Sequence, residues 1–189
     1  MPKVPIISLI KTLILNRYRK SFQHLQIIRK GYKINNSLQT TADQILVFTL
    51  DELSYALPLS IVVRVIHSIG IRHLPKAPEI ISGIINIKGQ IIPVADIRKR
   101  FGLVEREIDP DDRLIIADTG KRQVAILVDS VTGIRDLAAR QFINSKEALP
   151  FAEYIWGVAN VENELILIYN LEQFLSLDEE KILEQASDT

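Results

Sequence analysis

Catalytic or cofactor-binding chemistry most often needs histidines at metal-ligand spacing, a reactive cysteine or a glycine-rich phosphate-binding loop. This sequence contains none of these patterns. His24, His67 and His73 lack the HxxxH or HExxH spacing that places two imidazoles on one metal ion. The chain has no cysteine, which excludes thiolate catalysis and cysteine-ligated metals. GxGxxG, GxxxxGKS/T and GxSxG are also absent. The sequence therefore predicts no enzyme activity, no catalytic residue, no metal site and no cofactor.

Two charged clusters predict solvated surface rather than chemistry. Residues 109–112 are acidic, but they lack the register and the terminal glutamate of a calcium loop. Residues 98–100 form a basic triplet that has no aromatic platform for nucleic acid beside it. We interpret the first as an exposed turn and the second as an exposed helical face. The sequence then predicts a non-catalytic binding module.

Length and composition predict a compact unit with an uneven distribution of charge. The 189 residues are 47% hydrophobic, and 23 Lys and Arg balance 23 Asp and Glu. Residues 1–42 hold eight of the bases and no acid, whereas residues 43–189 hold 15 bases and 23 acids. The acidic body repels phosphates, so no nucleic-acid partner is expected. The lack of cysteine suits a cytoplasmic location.

The basic segment, residues 1–42, allows two interpretations. It is either an extension outside the fold, poorly ordered or loosely helical, or a helix that contacts an anionic membrane surface. The second interpretation relies on apolar residues at helical spacing, namely Ile10, Ile14, Tyr18, Phe22 and Leu25. The longest apolar stretch, residues 6–15, is interrupted by Lys11 and is too short to cross a bilayer.

Residues 43–185 predict an all-β domain of short strands joined by tight turns. Helix is expected in short pieces between strands and at residues 180–186, after a capping pattern at Ser176. Pro93 cannot donate a ladder hydrogen bond, so its strand should lie at a sheet edge or be bulged. Four hairpins are predicted, over residues 45–58, 84–94, 114–128 and 158–168.

The body contains an internal repeat. Residues 83–94 match residues 157–168 at an offset of 74, with glycine and asparagine repeated in place. A weaker match at an offset of 69 relates residues 46–65 to residues 115–134. Each copy has about five strands and is too small to bury a core alone. We therefore predict two small five-stranded barrels packed together.

Residues 81–98 and 101–103 resemble the signature of the CheW family of bacterial chemotaxis coupling proteins. Residues 48–50, 55–58, 74–78, 125–131 and 157–171 extend the resemblance. It implies two SH3-like five-stranded barrels. It also implies a non-catalytic scaffold that binds the cytoplasmic tip of transmembrane chemoreceptors and the regulatory domain of the histidine kinase CheA, and the length of the chain favours a stand-alone protein. Such a protein would be cytoplasmic and associated with receptor arrays at the inner membrane face.

The resemblance also implies two binding surfaces. Family members usually carry an arginine before the glycine of the central turn and a glutamate in the preceding strand; this sequence has Lys88 and Arg64 there, so receptor choice should differ. The expected receptor-binding residues are Arg64, Ile66, Asn86, Ile87, Lys88 and Gly89. The turn itself is an alternative reason for Asn86 and Gly89. The expected kinase-binding residues are Lys121, Val124, Ile126 and Val128, among which alternating strand residues should also fill the barrel.

Three functional alternatives stay open from the sequence. The chain is a receptor–kinase adaptor, or a protein that binds a small ligand such as a purine nucleotide, or a DNA-binding β-barrel, the interpretation that the charge of the body disfavours. Within the adaptor class, the output is either chemotactic swimming or a related surface-motility pathway.

Overall fold

A computed structural model describes residues 44–68, 70–138, 142–144, 155–162 and 164–171. The basic segment 1–42 and the predicted helix at residues 180–186 lie outside the described residues. Within them, no helix is long and apolar enough to span a membrane. The described helices are a 3-10 turn, Leu59–Ile61, and α1, Ile97–Phe101. The described strands are β1 Gln44–Leu50, β2 Leu53–Pro58, β3 Val62–His67, β4 Ile81–Ile87, β5 Gln90–Asp96, β6 Arg113–Asp118, β7 Gln123–Val128, β8 Ser130–Asp136, β9 Phe142–Asn144, β10 Ile155–Val161 and β11 Glu164–Tyr169.

The all-β prediction and its four hairpins are confirmed. Strands β1–β2, β4–β5, β6–β7 and β10–β11 pair antiparallel as neighbours in the chain. They are arranged in two sheets. Sheet A has the order β8-β1-β2-β11-β10-β9, and sheet B has the order β3-β6-β7-β5-β4.

Each sheet contains strands from both copies of the repeat. The hairpin β1–β2, from the first copy, pairs in parallel with β11 of the second copy. In the same way, β7 of the second copy pairs in parallel with β5 of the first. The two copies have therefore exchanged their first hairpins, so neither sheet forms from one copy alone.

Pairing registers confirm both repeat offsets. In β4–β5 the register shifts between Ile81 and Gly83, and in β10–β11 it shifts at the equivalent step, between Ile155 and Gly157. The weaker offset of 69 is supported in the same manner. Strand β3 against β6 and strand β8 against β1 each contain one bulge, and the two bulges lie at equivalent residues.

Gly83 and Gly157 recur because backbone passes close to both. A Cβ atom on Gly83 would collide with the carbonyl oxygen of Arg72, and one on Gly157 would lie 2.7 Å from the carbonyl oxygen of Ile143. Arg72 exchanges two backbone hydrogen bonds of 2.8 Å with Ile84 of β4. That bridge joins the segment after β3 to the opposite edge strand, so sheet B curls toward a barrel.

Pro93 is not in an edge strand, because β5 lies between β7 and β4. The edge prediction is therefore wrong. The parallel pairing with β7 begins at Val94, so the missing N–H of Pro93 costs that ladder no hydrogen bond. A bulge lies one position away, in the partner strand β4.

Hydrophobic residues form three clusters that hold the sheets in shape. The first is built around stacked or tilted rings, namely Phe48, Tyr55, Phe101 and Tyr169. The second draws its buried members from sheet A, and the third draws them from sheet B. Because the first cluster takes residues from both sheets, it packs the two halves together as one core.

Candidate functional site

The β4–β5 turn presents a lysine on a well-defined backbone. Lys88 and Gly89 both have positive φ, 52° and 91°, as two-residue hairpin turns require. The N–H of Gly89 donates a 2.8 Å hydrogen bond to Oδ1 of Asn86. Asn86 and Gly89 therefore have a turn-forming role of their own, while the Lys88 side chain is exposed.

The edge strand β3 and the β4–β5 hairpin lie at opposite edges of sheet B and pack on the same hydrophobic cluster. Ile66 of β3 and Ile87 of the β4–β5 hairpin are half-buried, and both pack against the third cluster. Arg64 pairs with Ile116 and Ile66 pairs with Leu114, so Arg64 and Ile66 share one face of β3. The structure thus places the six predicted receptor-side residues on two elements of one sheet.

Three exposed apolar residues accompany this surface and were not predicted from the sequence. Val63 and Val65 of β3 are 43% and 37% exposed, and Ile91 of β5, which pairs with Asn86, is 56% exposed. The strand alternation would have identified Ile91, because its neighbour Ile92 faces the core. We call the set Val63, Arg64, Val65, Ile66, Ile87, Lys88 and Ile91 the sheet B rim.

The predicted kinase-side residues divide into one exposed residue and three buried ones. Lys121 is exposed in the β6–β7 turn. Val124, Ile126 and Val128 are 0%, 2% and 1% exposed, and they lie in the first cluster on β7, an inner strand of sheet B. A folded chain cannot offer these three side chains to a partner. The prediction that these three residues contact the kinase is therefore wrong, because they pack in the core. The kinase-side role of Lys121 stays a prediction.

A chain of ion pairs joins the two sheets beside α1. The guanidinium of Arg98 contacts Asp51 at 2.7 Å and Asp129 at 2.6 Å. Arg106 contacts the same Asp129 at 2.7 Å and Asp112 at 2.5 Å. Asp51 lies in the β1–β2 turn of sheet A, and Asp129 links β7 of sheet B to β8 of sheet A. The network therefore ties elements of both sheets to one helix.

Two interpretations of charged clusters need correction here. Arg98 is 4% exposed and Asp112 is 2% exposed, so neither cluster is wholly solvated. For Arg98 the sequence gave no signal, because its partners Asp51 and Asp129 lie 47 and 31 positions away. The Asp96 carboxylate, also buried, accepts a 2.9 Å hydrogen bond from the N–H of Arg98 and caps α1.

The pKa shifts of Arg98 and Asp129 favour the charged form of both groups. Burial lowers the pKa of Arg98, but hydrogen bonds to Asp129 and Asp51 outweigh it and raise the net pKa. Burial raises the pKa of Asp129, and hydrogen bonds from Arg98 and Arg106 reverse this and leave the pKa below its ordinary value. For Asp96 burial dominates, and its pKa is raised. The network acts as a structural clamp.

A shallow groove of about 220 Å³ lies beside Trp156 and the β6–β7 turn. Its residues include the carboxylate of Asp118, and the lining within the described part of the chain contains no lysine or arginine. A groove with this charge does not favour the phosphates of a nucleotide. Within the described residues, no cluster of His, Asp or Glu is arranged to hold a metal ion. The groove is lined by Pro58, Ile61, Asp118, Thr119, Trp156, Tyr169, Asn170 and Leu171.

Comparison with known proteins places this architecture in a family. A family model described as the CheW-like domain matches residues 44–181. The chain is 26% identical to the chemotaxis protein CheW of Klebsiella aerogenes, over 79% of this chain and 91% of that protein. It is 28% identical to CheW of Thermotoga maritima, over 73% and 94%. Protein FrzA of Myxococcus xanthus is 26% identical, over 68% and 82%.

A solved structure shares the fold as well as the sequence. The scaffolding protein TtCheW from Thermoanaerobacter tengcongensis superimposes with a TM-score of 0.67 at 30% identity, covering 73% of this chain and 95% of that one. The SH3-like barrel architecture implied by the resemblance is consistent with this match and with the two sheets. The family model extends over all the described residues. The chain belongs to the CheW-like domain family.

Proposed function

We propose that this chain is a non-catalytic adaptor that couples transmembrane chemoreceptors to a CheA-type histidine kinase. The observation that carries the proposal is the CheW-like match over residues 44–181, which includes every described strand of both sheets. Relatives named as chemotaxis proteins and a solved scaffolding protein support it. Its place would be the cytoplasm, at receptor arrays on the inner membrane face.

Receptor and kinase would bind to separate elements. The receptor side uses the sheet B rim, where Arg64 and Lys88 are exposed beside apolar side chains. The kinase side uses the β6–β7 turn at Lys121. Both elements belong to one sheet that is stiffened by a shared core, so a shift in a bound receptor reaches the kinase as a change of position and local concentration.

Pairwise binding tests this function. Purified protein should co-sediment with membranes that contain a chemoreceptor from the same genome, and it should bind the isolated CheA regulatory domain by calorimetry. Binding of neither partner would contradict the proposal. A saturable thermal-stability shift with millimolar purine nucleotides would instead support the small-ligand alternative.

The match to FrzA, a relative that is not named as a chemotaxis protein, supports a second possible output of the adaptor, namely surface motility. Deletion of the gene, followed by separate assays of swimming and of surface spreading, would distinguish the two outputs. A defect confined to surface spreading would assign the adaptor to a surface-motility pathway.

Membrane contact through the basic segment 1–42 is tested separately. If the segment contacts the membrane surface, its deletion should reduce binding of the protein to anionic liposomes.

A further inference from the structure

The internal repeat supplies a template for the sheet B rim. In sheet A, Arg135 of β8 and Glu162 of the β10–β11 turn form an ion pair, with Nη2 and Oε2 3.9 Å apart. At the repeat offsets, these two positions correspond to Ile66 of β3 and Lys88 of the β4–β5 turn. The edge strand and the hairpin turn of sheet A thus meet across a pair of opposite charges.

The sheet B rim brings equivalent elements together without opposite charges. Ile66 and Ile87 pack on the same cluster, and the repeat relates Ile66 and Lys88 to the two residues of sheet A, Arg135 and Glu162, that form the ion pair. The exposed charges are Arg64 and Lys88, both cations, and no ion pair among the described residues includes either of them. Residues 60–95 hold four bases and one acid in a body that is acidic overall. The rim therefore lacks the carboxylate that sheet A supplies from Glu162.

A second copy of the chain is poorly suited to supply that carboxylate. Three acidic residues in or beside the turns of sheet A already have partners within their own chain. Asp51 pairs with Arg98, Glu162 with Arg135, and Glu164 accepts a hydrogen bond from Ser54. Using them between copies would break these contacts, so the acid is expected from a different molecule.

Apolar side chains beside the two cations favour a protein over a lipid surface. Val63, Val65 and Ile91 are more than a third exposed, and β3 is an edge strand in the described sheet. On β3 the cation Arg64 lies between the exposed apolar residues Val63 and Val65, a pattern that suits a segment that alternates apolar and acidic groups. We propose that the sheet B rim binds an acidic amphipathic segment of the receptor, whose carboxylates pair with Arg64 and Lys88. This inference rests on the proposed function.

Charge exchange at Lys88 tests the inference directly. Lys88→Glu places a carboxylate at the position that Glu162 holds in sheet A, where it should repel an acidic partner and attract Arg64, which shares a face of β3 with Ile66. Affinity for the cytoplasmic fragment of a receptor should fall at least tenfold and lose most of its salt dependence, while Lys88→Arg should stay within about twofold. Glu162→Gln in sheet A is the matched control and should leave the affinity unchanged. Unchanged affinity of Lys88→Glu, beside a wild-type chain that does bind, would overturn the inference and leave the adaptor function standing.

A second arm does not depend on any receptor. A synthetic peptide that alternates glutamate and leucine should perturb the amide NMR signals of residues 63–66 and 86–91, and a lysine–leucine peptide should not. Perturbation confined to other residues would overturn the inference. So would self-association of the wild-type chain that Lys88→Glu abolishes, or binding of phosphatidylglycerol vesicles through Lys88 in place of the peptide.

Discussion

Sheets A and B share one architecture and differ in the charge of their turns. Equivalent strands, bulges and close-packed glycines recur in both, down to positive φ at Lys88 and Glu162, both 52°. The turns that precede the parallel strands β2 and β11 carry acids, namely Asp51, Glu52 and Glu162. Those that precede β7 and β5 carry bases, namely Lys121, Arg122 and Lys88. The repeat thus preserves the backbone, while the turn residues give each half its own surface.

Removing Arg98 should have the largest effect on the unit that the two sheets form. Arg98→Met leaves Asp129 half-buried with one cation fewer and frees the β1–β2 turn from α1. Breaking a buried pair by removing one partner costs several kcal/mol, so we expect a loss of about 3 kcal/mol in the free energy of unfolding. Urea denaturation of the variant measures it. A loss below about 1 kcal/mol would show that the network does not hold the sheets together.

Alanine at the two repeated glycines compares the sheets directly. Gly83→Ala forces a methyl group against the backbone of Arg72, whereas Gly157→Ala meets the ring of Phe142 as well as the carbonyl of Ile143. A ring moves more readily than backbone, so we expect losses of about 3 kcal/mol for Gly83→Ala and about 2 kcal/mol for Gly157→Ala. Thermal unfolding of both variants tests the order. Neutral substitution at either site would contradict the close approach.

The stabilisation that Asp129 gives to the ion-pair network should be lost in acid. Because hydrogen bonds from Arg98 and Arg106 outweigh burial, the folded-state pKa of Asp129 lies below its ordinary value of about 3.9. Its contribution is complete above that ordinary value and is lost as the pH falls through the lowered pKa. Asp129→Asn should therefore reduce stability at pH 7 and flatten the decline below pH about 4. An unchanged acid limb, measured by urea denaturation across pH 2–7, would exclude Asp129 as its source.

The smallest effect is expected at the sheet A ion pair. Arg135 and Glu162 are 46% and 77% exposed, so Glu162→Lys should lower the free energy of unfolding by no more than about 0.5 kcal/mol. In this variant a lysine faces Arg135 in sheet A, so the turn and the edge strand carry two cations, as the sheet B rim does with Arg64 and Lys88. High salt should abolish the difference from wild type, and a loss that persists in 1 M salt would assign Glu162 a role in packing.

Local signals predicted the hairpins, and the repeat predicted the two-part architecture. Turn residues such as Lys88-Gly89 and alternating apolar residues are readable without tertiary structure. The exchange of hairpins between copies was not predictable from them, because parallel pairing of β2 with β11 joins residues more than 100 positions apart. Asp51 and Arg98 are 47 positions apart in the chain, so their ion pair was not predictable either, and Arg98 was interpreted as part of a solvated basic surface.

At the candidate site, residue types were easier to predict than exposure. Lys88 and Arg64 were identified through resemblance and lie exposed. Val124, Ile126 and Val128 belong to a continuous apolar run in which every residue from 124 to 128 is buried, because one face of β7 packs in the first cluster and the other in the third. Ile91 was not predicted, although its alternation with the buried Ile92 places it on the outer face of β5.

Simultaneous binding of both partners is the claim on which the adaptor role depends. The direct measurement is sedimentation of the CheA regulatory domain with receptor-containing membranes, with and without this chain. We expect the regulatory domain to sediment when the chain is present, and Lys88→Glu to leave it in the supernatant together with the unbound adaptor. Receptor and regulatory domain that each bind the chain but displace one another would contradict the coupling role.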